Sequence, residues 1–187
     1  MKAIRNVAML SLLAVCVYGQ GSLDSARLLR PTADSWPMYN GDYTGRRFSS
    51  LSKLTTNNVN SMSLAWVYRP NPGGGQAGGG QAGGGGNTAV TIKGTPVVVN
   101  GVLYVTIPDH VWAVDARTGQ EIWHSTWRSK GGWHIANRGV AIMGSTVYVE
   151  TPDCNLVALD IRDGKERWRR EICDLEQFYY GSVAPLI

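Results

Sequence analysis

The chain is 187 residues long, 43% hydrophobic and only 17% charged, a composition that excludes wholesale disorder and suits one modest core. Lys plus Arg exceed Asp plus Glu by 18 − 14 = +4, or by 16 − 14 = +2 once Lys2 and Arg5 are set apart with a leader. These charges are scattered and form no basic block, so no nucleic-acid partner is expected.

Residues 1–20 read as a signal peptide. Lys2 and Arg5 make a positive start, and residues 7–18 form an apolar run, shorter than the ~20 residues a membrane-spanning helix needs. Leu13-Ala14-Val15-Cys16 is similar to a lipoprotein box, with an atypical Val before the Cys. Export predicts a periplasmic or secreted protein, and the mature part then spans 21–187. Within it, residues 73–86 (GGGQAGGGQAGGGG) offer no side chains to bury and predict a flexible loop. No Lys follows in the pattern of a phosphate-binding loop.

An internal repeat follows. Residues 94–123 and 138–168 each predict three short alternating strands, an Asp-x-x-[Thr/Asp]-Gly turn, and a fourth strand carrying Glu-x-Trp. Ala113, Asp115, Gly119, Glu121 and Trp123 recur as Ala158, Asp160, Gly164, Glu166 and Trp168, an offset of 45. Ile107-Pro108-Asp109 matches Thr151-Pro152-Asp153 at an offset of 44, so one residue is inserted in between. Leu64 to Trp66 reads as the closing strand of an earlier unit, and residues 181–187 as the start of a later one. A four-stranded unit of this length with one Trp predicts a β-propeller blade, against a sandwich with coincidental hairpins. The chain has 7 Trp and only 2 Phe, which suits a repeated indole slot. Trp123 and Trp168 are expected to pack flat between neighbouring blades.

Asp163-Gly164 reads as a two-residue hairpin turn. That register places residue i opposite 327 − i and so Cys154 opposite Cys173. An exported protein is expected to bridge them; otherwise they are two free thiols. The absence of Cys-x-x-Cys-His excludes a c-type haem site in this segment.

The repeat also marks a candidate site. Innermost strands line a propeller's channel, and the residue three before Pro96, Ala141 and Pro185 is Lys93, Arg138 and Ser182. Two cations and a hydroxyl on one ring suit an acidic ligand on the axis. The other reading is three strand starts at a wetted funnel mouth.

At these residues the chain resembles the pyrroloquinoline quinone (PQQ)-dependent alcohol dehydrogenases, the methanol and ethanol dehydrogenase-like quinoproteins. The resemblance rests on Trp36-Pro37-Met38-Tyr39-Asn40-Gly41, Gly94-Thr95-Pro96, Asn137-Arg138-Gly139, the run from Asp153 to Asp160, and Gly181-Ser182-Val183-Ala184-Pro185. It implies an all-β fold, the N-terminal part of an eight-bladed propeller of which about two blades are present and the remaining blades missing. It implies PQQ with a calcium or lanthanide ion, a small-molecule primary alcohol or polyol as substrate, and a c-type cytochrome as electron acceptor. Arg138 matches the arginine that contacts the quinone, and Ser182 a hydroxyl that binds the cofactor. Lys93 stands where methanol dehydrogenases carry Glu, and Gly132-Trp133 replaces a vicinal Cys pair, leaving Trp133 or His134 to cover one cofactor face. The family's metal ligands and catalytic Asp are expected beyond residue 187, so no catalytic residue is assigned and an enzyme is expected only of the parent protein. The alternative is a non-catalytic propeller scaffold that binds proteins on its rim.

Overall fold

The computed structural model describes residues 23–72, 92–131 and 137–187. The leader, the glycine-rich segment 73–86, and Trp133 and His134 lie outside the described residues.

Alternating apolar residues build two antiparallel meanders. In the first, β1 (Val97–Val99), β2 (Val102–Ile107), β3 (His110–Asp115) and β4 (Glu121–Thr126) pair in chain order. In the second, β5 (Ala141–Met143), β6 (Thr146–Glu150), β7 (Asn155–Asp160) and β8 (Glu166–Glu171) do the same. Even the irregularities repeat: the register slips between Ala113 and Val114 in one sheet and between Ala158 and Leu159 in the other. Two four-stranded blades of a propeller result.

The inward residues of both sheets merge into one core, in which Val97, Val99, Val111 and Ala113 meet Val140, Ile142, Val147 and Val157. Trp123 is the joint between the blades. It is 8% exposed, its indole N–H donates to Ile161 O at 3.0 Å, and its ring lies over Gly164. Trp66 repeats the arrangement one blade earlier, donating to Ala116 O at 3.2 Å with its ring over Gly119. Trp168, expected to pack in the same way, meets Tyr148 with ring centroids 5.9 Å apart much as Trp123 meets Tyr104 at 6.0 Å, but the residue remains 41% exposed rather than covered by a neighbouring blade.

Three local expectations are corrected. Leu64 to Trp66 forms no strand, because no described segment offers it a ladder; the Trp66 ring on Gly119 and, two residues on, the Tyr68 hydroxyl donating to Glu121 Oε2 at 2.6 Å hold the segment. The turn after β7 is not the two-residue hairpin. Asp160 pairs with Lys165, its N–H donating to Lys165 O at 2.8 Å, because the Asp160 carboxylate accepts from Arg162 N–H and curls the chain before Gly164. With the later slip, Asn155 faces Glu171, so Cys154 lies opposite Ile172, one residue short of Cys173.

Cys154 and Cys173 are nonetheless joined, with Cα atoms 5.0 Å apart. The loop before β7 is one residue longer than the loop before β3, and Cys154 takes the place that Asp109 takes in the first blade: both have a left-handed φ, and their carbonyls accept from Ile172 N–H and Trp127 N–H respectively. The Pro108-Asp109 turn joins β2 to β3 directly, whereas β6 reaches β7 through Thr151, Pro152, Asp153 and Cys154. Closing a loop of 19 residues contributes about 3 kcal/mol by the chain-entropy account.

A segment before the blades covers their inner edges. Leu23 O accepts from Gly144 N–H at 2.7 Å beside β5, and Trp36 exchanges two backbone bonds with Val98 of β1, at 2.7 and 2.9 Å. Between them lies α1 (Ser25–Leu29), capped by the Asp24 carboxylate on Arg27 N–H, with Leu28 buried in the common core.

Candidate functional site

The site is built from three strand starts lying side by side. Thr95 N–H donates to Arg138 O at 3.1 Å, which ties the first start to the second. A β-carbon on Gly139, whose φ is +133°, would lie 3.1 Å from Thr95 O and 3.8 Å from Ala184 Cβ, so the third start lies against the second and a side chain at residue 139 would press on the Thr95 carbonyl. Lys93, Arg138 and Ser182 stand on these three segments.

Lys93 and Arg138 are exposed and adjacent, with Arg138 Nη1 3.5 Å from Lys93 O; Ser182 is half-buried. Among the described residues no carboxylate pairs with Arg138. Two cations and a hydroxyl therefore stand on neighbouring strand starts. Such a row accepts an oxygen-rich anion, since Arg offers a planar fork and Lys a compact charge.

Two further residues hold this row: Asn137, marked in the sequence only as part of the Asn137-Arg138-Gly139 match, and Glu150, which the sequence left without a role. Asn137, almost wholly buried, donates from Nδ2 to Glu150 O at 3.0 Å and accepts from Gly139 N–H at 2.9 Å, so it brackets Arg138. Glu150 accepts from Val183 N–H at 3.1 Å on its Oε2. Burial pushes the Glu150 carboxyl up, and the Val183 N–H partly offsets this. A β-carbon on Gly181 would lie 2.6 Å from Glu150 Cγ and Oε1, so only glycine fits there. A signal existed for both. Asn two residues before Gly is a turn-forming pattern, and Glu150 is an acidic residue where the first repeat has Thr106, at the offset of 44.

Asp153 anchors the neighbouring loop. Its carboxylate accepts from Thr151 Oγ1 at 2.5 Å and from Lys130 N–H at 2.9 Å. Burial pushes this carboxyl up, but the hydrogen bonds from Thr151, Lys130 and Asn155 outweigh it and hold it below the usual carboxylate range. Among the described residues no three His, Cys, Asp or Glu side chains converge to hold a metal.

The model of the glucose/ethanol/alcohol dehydrogenase β-propeller domain, a PQQ family, matches residues 36–166. The 1-butanol dehydrogenase (cytochrome c) of Thauera butanivorans is 32% identical over 160 residues, covering 81% of this chain and 21% of that protein. The quinohemoprotein alcohol dehydrogenase ADHIIG of Pseudomonas putida HK5 superposes with a TM-score of 0.74 at 29% identity, covering 88% of this chain and 23% of that one. A europium-containing methanol dehydrogenase gives a TM-score of 0.66 at 26% identity, over 85% of this chain and 27% of that structure. The chain thus spans about a fifth of the length of the curated relatives it matches.

Proposed function

Because the chain belongs to the glucose/ethanol/alcohol dehydrogenase β-propeller family of PQQ proteins, we propose that its two blades form one wall of a PQQ-binding funnel in an exported dehydrogenase acting on a primary alcohol or polyol. The observation that carries this is the row of donors at Lys93, Arg138 and Ser182, set side by side by the inner strand starts. PQQ has three carboxylates and a quinone, all acceptors, so the donor set fits it. Arg138 would bind and stabilise negative charge on the quinone oxygens, Lys93 would neutralise a carboxylate, and the Ser182 hydroxyl would orient the ring. When bound, PQQ supplies the two-electron redox chemistry of the reaction, and the protein supplies orientation and electrostatics.

A calcium or lanthanide ion is proposed because one similar structure is a europium-containing methanol dehydrogenase; its ligands are proposed to lie outside the described residues. A c-type cytochrome is proposed as electron acceptor because one relative bears cytochrome c in its name. The leader-like residues 1–20 and the disulfide between Cys154 and Cys173 support a periplasmic or secreted location. Trp133 or His134 is proposed to cover one cofactor face.

The test is titration of the full-length protein with PQQ in the presence of calcium, followed by tryptophan fluorescence. Wild type is expected to bind at micromolar cofactor or below, and Arg138→Ala to bind at least about tenfold more weakly, the loss of a charge-assisted hydrogen bond. No binding by wild type, or equal binding by both, would favour a non-catalytic propeller scaffold.

A further inference from the structure

We propose that Glu150, at the end of β6, is a positioning residue that sets the Arg138 and Ser182 segments against each other. This rests on the reading of those residues as cofactor donors.

The backbone carbonyl of Glu150 accepts from Asn137 Nδ2 at 3.0 Å, and Asn137 Oδ1 in turn accepts from Gly139 N–H at 2.9 Å. Arg138 therefore sits in a turn tied at both neighbours, and the tie ends on Glu150. The carboxylate of the same residue accepts from Val183 N–H at 3.1 Å and lies against Gly181. Ser182 is thus also held through both neighbours. One residue, through its main chain and its side chain, spans two adjacent blade starts.

The chemistry of the position points the same way. Glu150 is 9% exposed, and among the described residues no Lys or Arg pairs with it. A buried carboxylate of that kind opposes folding unless its hydrogen bonds compensate. The equivalent slot in the first blade holds Thr106, which is shorter and whose buried hydroxyl finds no partner among the described residues. Length and an acceptor are what Glu150 adds, and both are spent on Val183.

The experiment uses the full-length protein with Glu150→Gln, which keeps an acceptor at the same reach, and Glu150→Asp, which withdraws it by one methylene. Amide hydrogen exchange at Val183 and Gly139 is read without cofactor, and PQQ affinity is read by fluorescence titration. Glu150→Gln is expected to keep Val183 protected and to hold affinity within about threefold, whereas Glu150→Asp is expected to expose Val183 and weaken PQQ binding about tenfold. Three results overturn the proposal: Glu150→Asp unchanged in both readouts, loss of protection without loss of affinity, or Glu150→Gln as weak as Glu150→Asp with Val183 still protected. The first two show that the contact does not place the donors, and the third that charge acts rather than position. If wild type binds no PQQ, or Arg138→Ala binds it as wild type does, the cofactor reading falls. The exchange rate at Val183 then still decides whether Glu150 holds the segment.

Discussion

A β-carbon on Gly164 would lie 2.5 Å from the Trp123 ring, at a backbone φ of +69°. Two separate penalties then fall on any other residue: the left-handed backbone, and the displacement of a ring that is wedged between the blades. Gly119 under Trp66 is in the same position, with a would-be β-carbon 2.7 Å from the ring at φ +73°. Gly164→Ala is therefore expected to destabilise the protein by about 2–4 kcal/mol, and Trp168→Ala by clearly less, because that ring is already 41% exposed. Urea unfolding of the two variants beside wild type checks this; equal losses would show that the ring-on-glycine contact does not matter. The sequence made the Trp visible as a repeated residue and the glycines visible as turns. It did not pair them, since each glycine's partner ring belongs to the preceding blade and nothing local specifies the contact.

The strands themselves were legible from alternation, and the errors fell where polar side chains overrule the pattern. Asp160 recruits Arg162 N–H and closes the β7–β8 turn two residues early, which a count from Asp163-Gly164 could not foresee. A second polar arrangement, on β3 and β4, has consequences for stability. His110 Nδ1 and His124 Nε2 are 3.0 Å apart, and both rings stack on buried Trp112, at 5.3 and 4.6 Å between centroids. Burial, and then the neighbouring His124, lower His110 to about 4, against the opposing pull of Asp109; burial also lowers His124, against Glu121. Both folded values lie below the ordinary value of about 6.5, so the neutral pair favours the native state fully above that pH and this contribution is lost as pH falls toward 4. Wild type is expected to lose melting temperature more steeply between about pH 7 and pH 5 than the double variant His110→Asn, His124→Gln, in which neither position titrates. Parallel slopes would remove the pair from the account.

Across the whole molecule, the inner edges of the blades hold the candidate site, and an open edge invites misplaced pairing. The segment from Leu23 to Trp36 covers both edges, bonding Gly144 beside β5 at one end and Val98 in β1 at the other. The sequence showed Trp36-Pro37 as part of a resemblance but not this role, because a strap without its own ladder has no periodicity to read. Leu28 is the strap's anchor, 2% exposed in the core shared by both blades, whereas its neighbour Leu29 is 66% exposed. If the strap acts as one element, Leu28→Ala should cost about 2–5 kcal/mol and speed amide exchange at Gly144 and Val98 together, although those residues lie in different blades. Leu29→Ala serves as the matched control and should change neither amide. Faster exchange at Gly144 alone would mean that the two bridges are independent. The blade starts would then owe their alignment to the Thr95–Arg138 bond and to Glu150 rather than to the strap.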